Sequence, residues 1–144
     1  QDGLVDRVPA EDQQFVLGAV NSINVDGAEW TLVQDGHEVV PGLTMIDTPG
    51  HTPGHMSLRV DSGDQSLIAM GDAMTHAYTN FAHPEWYNNF DADGEQTVAT
   101  RKRLLDMCAE DRIAVLGYHF PFPGVGHVQR DGDTHRFVPA LWQF

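Results

Sequence analysis

The stretch Thr48-Pro49-Gly50-His51-Thr52-Pro53-Gly54-His55 lies between two apolar runs, Leu43-Thr44-Met45-Ile46 and Met56-Ser57-Leu58-Arg59-Val60. Apolar runs of this length bounded by turn residues read as strands. Prolines stiffen the loop between them, and glycines admit turns that other residues resist. A rigid loop at a strand end can aim an imidazole. Two further runs end in the same way: Ala69-Met70 leads into Gly71-Asp72, and Val115-Leu116-Gly117-Tyr118 leads into His119. Three strand ends therefore deliver His, Asp and His, side chains that suit a zinc-type ion.

The remaining pattern suggests an α/β chain. Pro9 to Ile23 reads as a helix, with Glu11 and Asp12 at its positive end and Phe15, Val16, Ala19 and Val20 as its apolar stripe. Short strands are expected at Glu29–Val33 and Val39–Val40. A hairpin is expected across Asp61-Ser62-Gly63-Asp64, and another across Asp131-Gly132-Asp133. The run from Asp72 to Asp93 reads as irregular and aromatic-rich. Gly94 to Glu110 reads as a helix with Val98, Leu104, Leu105 and Cys108 inward and Arg101, Lys102 and Arg103 in solvent, followed by a strand from Ile113 to Leu116. The expected layer is one mixed or mostly antiparallel sheet with helices on one face.

Charge and composition narrow the function. Twenty-one acidic residues against 8 Lys and Arg give a formal charge of −13. This disfavours nucleic acid and anionic membrane as partners. No apolar run is long enough to span a bilayer. The lone Cys108 allows no intrachain disulfide and reads as a small buried hydrophobe. His127 reads as serving its glycine-rich turn, and His37, His83 and His135 as solvated.

The strings TPGHTPGH, GD and GYHFPFPGVGHVQRDGDTHRFVPA resemble the metallo-β-lactamase-fold hydrolases, in the branch of methyl parathion hydrolase and the quorum-quenching lactonases. The resemblance runs from about Phe15 to the end of the sequence. It implies the C-terminal αβ half of an αββα sandwich, with residues 1–144 as one half-domain. It also implies two divalent metals, zinc first among Mn, Fe and Co. His55 would hold one metal, Asp72 would bridge both and act in catalysis, and His119 would hold the second. His51 would stand behind the ligands as a brace. Thr75, His76, Phe81, Trp86 and Phe122 would line a substrate pocket.

The family's His-x-His-x-Asp-His motif is absent from this sequence, which starts at Gln1. The expectation is therefore a C-terminal portion of a longer enzyme, inactive and at most partly metal-loaded on its own. Its partners would be an ester- or lactone-type substrate and either the N-terminal half or a second copy. The first alternative is a metal-binding or assembly half with no catalysis of its own. The second is a mononuclear iron dioxygenase of the same fold, against which the Gly-Tyr-His-Phe-Pro-Phe-Pro-Gly segment argues. The sequence leaves the compartment undetermined.

Overall fold

A computed structural model describes residues 5–141, apart from the side chain of Arg7. The chain divides into two compact units, residues 1–32 and 33–144. The first holds a short 3-10 turn, Val5–Arg7, and helix α1, Gln13–Ile23. Helix α1 starts later than Pro9, because residues 10–12 form a turn. No strand forms at 29–33. Within this unit the indole Nε1 of Trp30 donates instead to the Ile23 carbonyl at 2.8 Å.

The second unit is a seven-stranded mixed sheet whose strands lie in sequence order. They are β1 Glu38–Val40, β2 Leu43–Asp47, β3 Met56–Ser62, β4 Gln65–Ala69, β5 Ala114–Leu116, β6 Val125–Asp131 and β7 Thr134–Pro139. All neighbours are antiparallel except β4 and β5. A parallel pair needs a long crossover. The crossover here carries a 3-10 turn, Gly71–Ala73, a four-residue helix α2, Thr79–Ala82, and helix α3, Gly94–Glu110.

Both expected hairpins form. Gly63 and Gly132, each at φ +61°, take the left-handed position of their two-residue turns. Helix α3 begins where Asp93 accepts from the Gln96 N–H at 2.9 Å. Its inward stripe packs Leu104, Leu105 and Cys108 against Ile68 of β4, Val115 of β5, Val128 of β6 and Phe137 of β7. Phe81 of α2 joins the same core, so both crossover helices cover the same face of the sheet.

The opposite face differs. Register aligns Leu43, Val60, Leu67 and Ala114 in one row and Met45, Leu58, Ala69 and Leu116 in the next. All eight are apolar and none is buried. Among the described residues, no helix is long and apolar enough to cross a membrane.

Two surface expectations are corrected. Arg101 has no exposed surface, because it falls on the inward stripe of α3 one turn from Thr97 and Leu105. His135 is buried as well, since it lies on the β7 face that α3 covers.

Candidate metal centre

The loop after β2 is held from several sides. Its ends close through the Thr48 N–H to the His55 carbonyl at 3.0 Å, and the Gly50 N–H reaches the Thr52 carbonyl at 3.1 Å. Gly50, at φ +135°, presses against the backbone of Thr97, where a side chain would clash. Thr100 of α3 donates to the Pro49 carbonyl at 2.6 Å. The backbone of the 91–93 segment pairs with the loop as well, Ala92 N–H to His51 O at 3.1 Å and Asp93 N–H to Gly50 O at 2.9 Å.

Asp72 stands where β4 runs into the 3-10 turn. Its carboxylate faces one histidine with each oxygen: Oδ1 lies 2.9 Å from His119 Nε2, and Oδ2 lies 3.4 Å from His51 Nε2. Burial raises the Asp72 pKa, but hydrogen bonds from Tyr118 and His119 outweigh it and hold the carboxyl below its usual value. The Tyr118 phenol is pushed up to about 12 by burial and by its bond to Asp72, so it remains a donor at neutral pH.

His51 and His55 differ in their hydrogen bonds. The Nε2 of His55 accepts the Asp72 backbone N–H at 3.0 Å, and its Nδ1 lies 2.8 Å from Thr48 Oγ1 and 3.1 Å from the Thr48 carbonyl. Both ring nitrogens are thus engaged in bracing. Burial lowers the His55 pKa, which keeps the ring neutral. Gly71, at φ +55°, leaves room for that ring: a Cβ there would lie 2.7 Å from His55 Nε2. His51, by contrast, donates from Nδ1 to Asp91 Oδ1 at 3.2 Å and turns Nε2 toward Asp72.

The pocket candidates separate. Phe81 has no exposed surface and packs on Phe120 and Phe137 at ring separations of 5.7 and 5.5 Å, as a residue of the core. Thr75 donates to Asn80 Oδ1 from both backbone and hydroxyl. His76 caps α2 by accepting the N–H groups of Tyr78 and Thr79, each at 3.2 Å. Trp86 stacks on His83 at 4.1 Å, and both Trp86 and Phe122 are largely exposed.

Sequence reading missed Tyr118, Asp91 and Arg101. The first was visible as the residue preceding a ligand-type histidine. Arg101 was visible too, since its position four residues after Thr97 and before Leu105 puts it on the buried stripe.

The donor chemistry suits a divalent ion. Neighbouring ligands bound at about 2.1 Å with tetrahedral angles lie about 3.4 Å apart, and the separations at Asp72 are 2.9 and 3.4 Å. With the His51 proton on Nδ1, two lone pairs face each other between His51 and Asp72 unless a proton or a cation separates them. The fit is partial: among the described residues no three His, Cys, Asp or Glu side chains form a group able to hold a metal alone.

No family model matches the chain. The N-acyl homoserine lactonase of Bacillus cereus is 24% identical over 116 residues, which are 81% of this chain and 46% of that protein. The lactonase of Bacillus thuringiensis is 26% identical over 90 residues, 62% of this chain and 35% of that protein. The structure of AbOPH, a hydrolase of the β-lactamase superfamily, superposes over all of this chain and 52% of that one, with TM-score 0.83 and 25% identity. The chain is similar to hydrolases of the metallo-β-lactamase superfamily and has the fold of about half of such a protein. AidC, a dizinc quorum-quenching lactonase in complex with the product N-hexnoyl-L-homoserine, shares the fold over 100% of this chain and 47% of its own, at TM-score 0.78 and 21% identity. The chain thus spans about half the length of the relatives it matches.

Proposed function

We propose that this chain is the C-terminal half of a metal-dependent hydrolase that opens lactones or cleaves aryl or phosphate esters. The observation that carries the reading is Asp72, with one oxygen toward His51 and the other toward His119. That arrangement supports a bridging carboxylate between two metal positions, His51 serving one and His119 the other. The bracing bonds of His55 support a different task for it, that of holding the Asp72 backbone. When bound, divalent ions of this kind polarise a carbonyl or phosphoryl oxygen and bring the pKa of a water towards about 7. Asp72 would orient that water and set the spacing of the site. Tyr118, a protonated donor beside Asp72, is placed to hydrogen-bond an oxygen of the substrate. The relatives with homoserine products bound support a lactone as the first substrate to try.

A second reading has the chain act as a metal-binding or assembly half without catalysis of its own. The incompletely buried apolar rows on the far face of the sheet and the incomplete donor group favour it. One experiment separates the two. The longer polypeptide that contains this sequence is assayed, with and without chelator, on homoserine lactones, aryl esters and organophosphates. Chelator-sensitive turnover that His51→Ala and Asp72→Ala abolish supports the hydrolase. Zinc uptake without turnover of any of these substrates supports the assembly half.

A further inference from the structure

The Asp72–Asp93 segment and helix α3 share a buried cation. The guanidinium of Arg101 has no exposed surface. It donates from Nε to the Ala73 carbonyl at 2.8 Å, from one terminal nitrogen to the Trp86 carbonyl at 2.7 Å, and from the other to Asp91 Oδ2 at 3.4 Å. Burying such a charge is costly unless it is paired and hydrogen-bonded. Burial lowers the Arg101 pKa, and the Asp91 carboxylate opposes that shift.

The Asp91 side chain is itself without exposed surface. Its Oδ2 takes the Arg101 donor and also the Asn88 N–H at 3.1 Å, so Oδ1 is left for His51 Nδ1 at 3.2 Å. A carboxylate only accepts. The imidazole must therefore keep a proton on Nδ1, which directs the Nε2 lone pair at the Asp72 side of the site. A clamp that merely pinned the loop would need the two carbonyls and any counter-charge. It would not require the second oxygen of that counter-charge to rest on His51.

We infer that Arg101 is a positioning residue: through Asp91 it fixes the tautomer and the aim of His51, so that Nε2 is presented beside Asp72. The inference rests on the reading above that His51 holds a metal. Carboxylates behind ligating histidines fix ring orientation and raise basicity in this way.

Asp91→Asn tests it. Two donors converge on the Oδ2 position, so the amide oxygen stays there and the NH2 group turns to His51. His51 Nδ1 must then accept, and the proton moves to Nε2. Long-range 15N–1H correlation on the full metal-free chain, well above the ordinary imidazole pKa of about 6.5, reads this directly. The wild type is expected to show His51 protonated at Nδ1 and the variant at Nε2. Zinc affinity should fall roughly 10- to 100-fold. In a His51→Ala background the same substitution should weaken zinc no further.

Arg101→Lys gives a second arm should the Asn variant not fold. A single ammonium cannot serve both carbonyls and the carboxylate, so a mixture of His51 tautomers is expected. His51 protonated only at Nδ1 in either folded variant would overturn the inference, as would an equal loss of zinc affinity with His51 absent. Failure of the longer polypeptide that contains this sequence to bind zinc would instead count against the metal reading, while the tautomer measurement would still decide the role of Arg101.

Discussion

The backbone of Asp72 and the ring of His55 are joined directly, with the Asp72 N–H donating to His55 Nε2 at 3.0 Å. The other side of that ring reaches Thr48, whose hydroxyl also lies 3.0 Å from Ser57 Oγ, and Ser57 Oγ donates in turn to the Met70 carbonyl at 3.2 Å. A short polar chain thus ties the loop after β2 to β3 and to the end of β4. It sets where the Asp72 carboxylate stands.

His51→Ala and His55→Ala should therefore differ in kind. Removing His55 leaves the Asp72 N–H and Thr48 without their partner and should cost about 1–3 kcal/mol of stability. Removing His51 should cost less stability and remove most zinc binding. Urea unfolding and competitive zinc titration on the same two proteins check this. Equal losses of zinc affinity in both would contradict the division of roles.

Gly71→Ala should disturb the same bond. A side chain there meets the His55 ring at 2.7 Å and sits at φ +55°. Gly63→Ala is the control, because Gly63 has a similar φ of +61° but open space around it. Left-handed strain alone costs about 1 kcal/mol. The Gly63 variant should lose about that much and the Gly71 variant clearly more, as read by urea midpoints. Matching losses would mean that the ring contact adds nothing.

Much of this was legible in the sequence where local signals decide. The turn residues in Asp61-Ser62-Gly63-Asp64 and Asp131-Gly132-Asp133 marked both hairpins, and the stripe through Leu104, Leu105 and Cys108 marked α3. The three strand ends marked the site. The different hydrogen bonding of His51 and His55 was not legible, because it depends on Asp91, which is 40 residues from His51, and on the close approach of Gly71 to the His55 ring. Arg101 was misread because its charge was weighed above its place on the stripe. The expected strand at 29–33 rested on composition alone, and no neighbouring strand pairs with it in the described residues.

His135 gives a pH dependence separate from the metal centre. Its Nε2 is buried with no hydrogen-bond partner among the described residues, 3.5 Å from Asp106 Oδ1, and Arg130 pairs with that same oxygen at 3.0 Å. Burial lowers the His135 pKa, with Asp106 opposing and Arg130 adding to the shift. A histidine with a depressed folded-state value binds its proton more readily when unfolded. Stability from this group is then fully present above about pH 6.5 and is lost as pH falls from there to the folded value. His135→Asn should flatten the fall of Tm with pH between neutral and mildly acidic buffer, relative to the wild type. An unchanged slope would show that His135 takes up its proton equally in both states.

The two faces of β4 should respond oppositely to adjacent substitutions. Ile68 points into the core with no exposed surface, among Leu104, Leu105 and Val115. Ile68→Ala should cost about 2–5 kcal/mol. Leu67 points to the other face, in the incompletely buried row with Leu43, Val60 and Ala114. Leu67→Ser should cost less than Ile68→Ala, because part of the Leu67 side chain stays in water. Apolar surface is worth about 25 cal/mol per Å² when removed from water, and large exposed patches are rare in soluble monomers. The rows should therefore draw the chain into self-association or bind a hydrophobic dye, and Leu67→Ser with Leu58→Ser should weaken both. Light scattering and dye fluorescence on the 15.9 kDa chain read this out. A stable monomer that binds no dye, and that loses as much stability from Leu67→Ser as from Ile68→Ala, would mean that this face is already covered and would remove the argument for a complementary half.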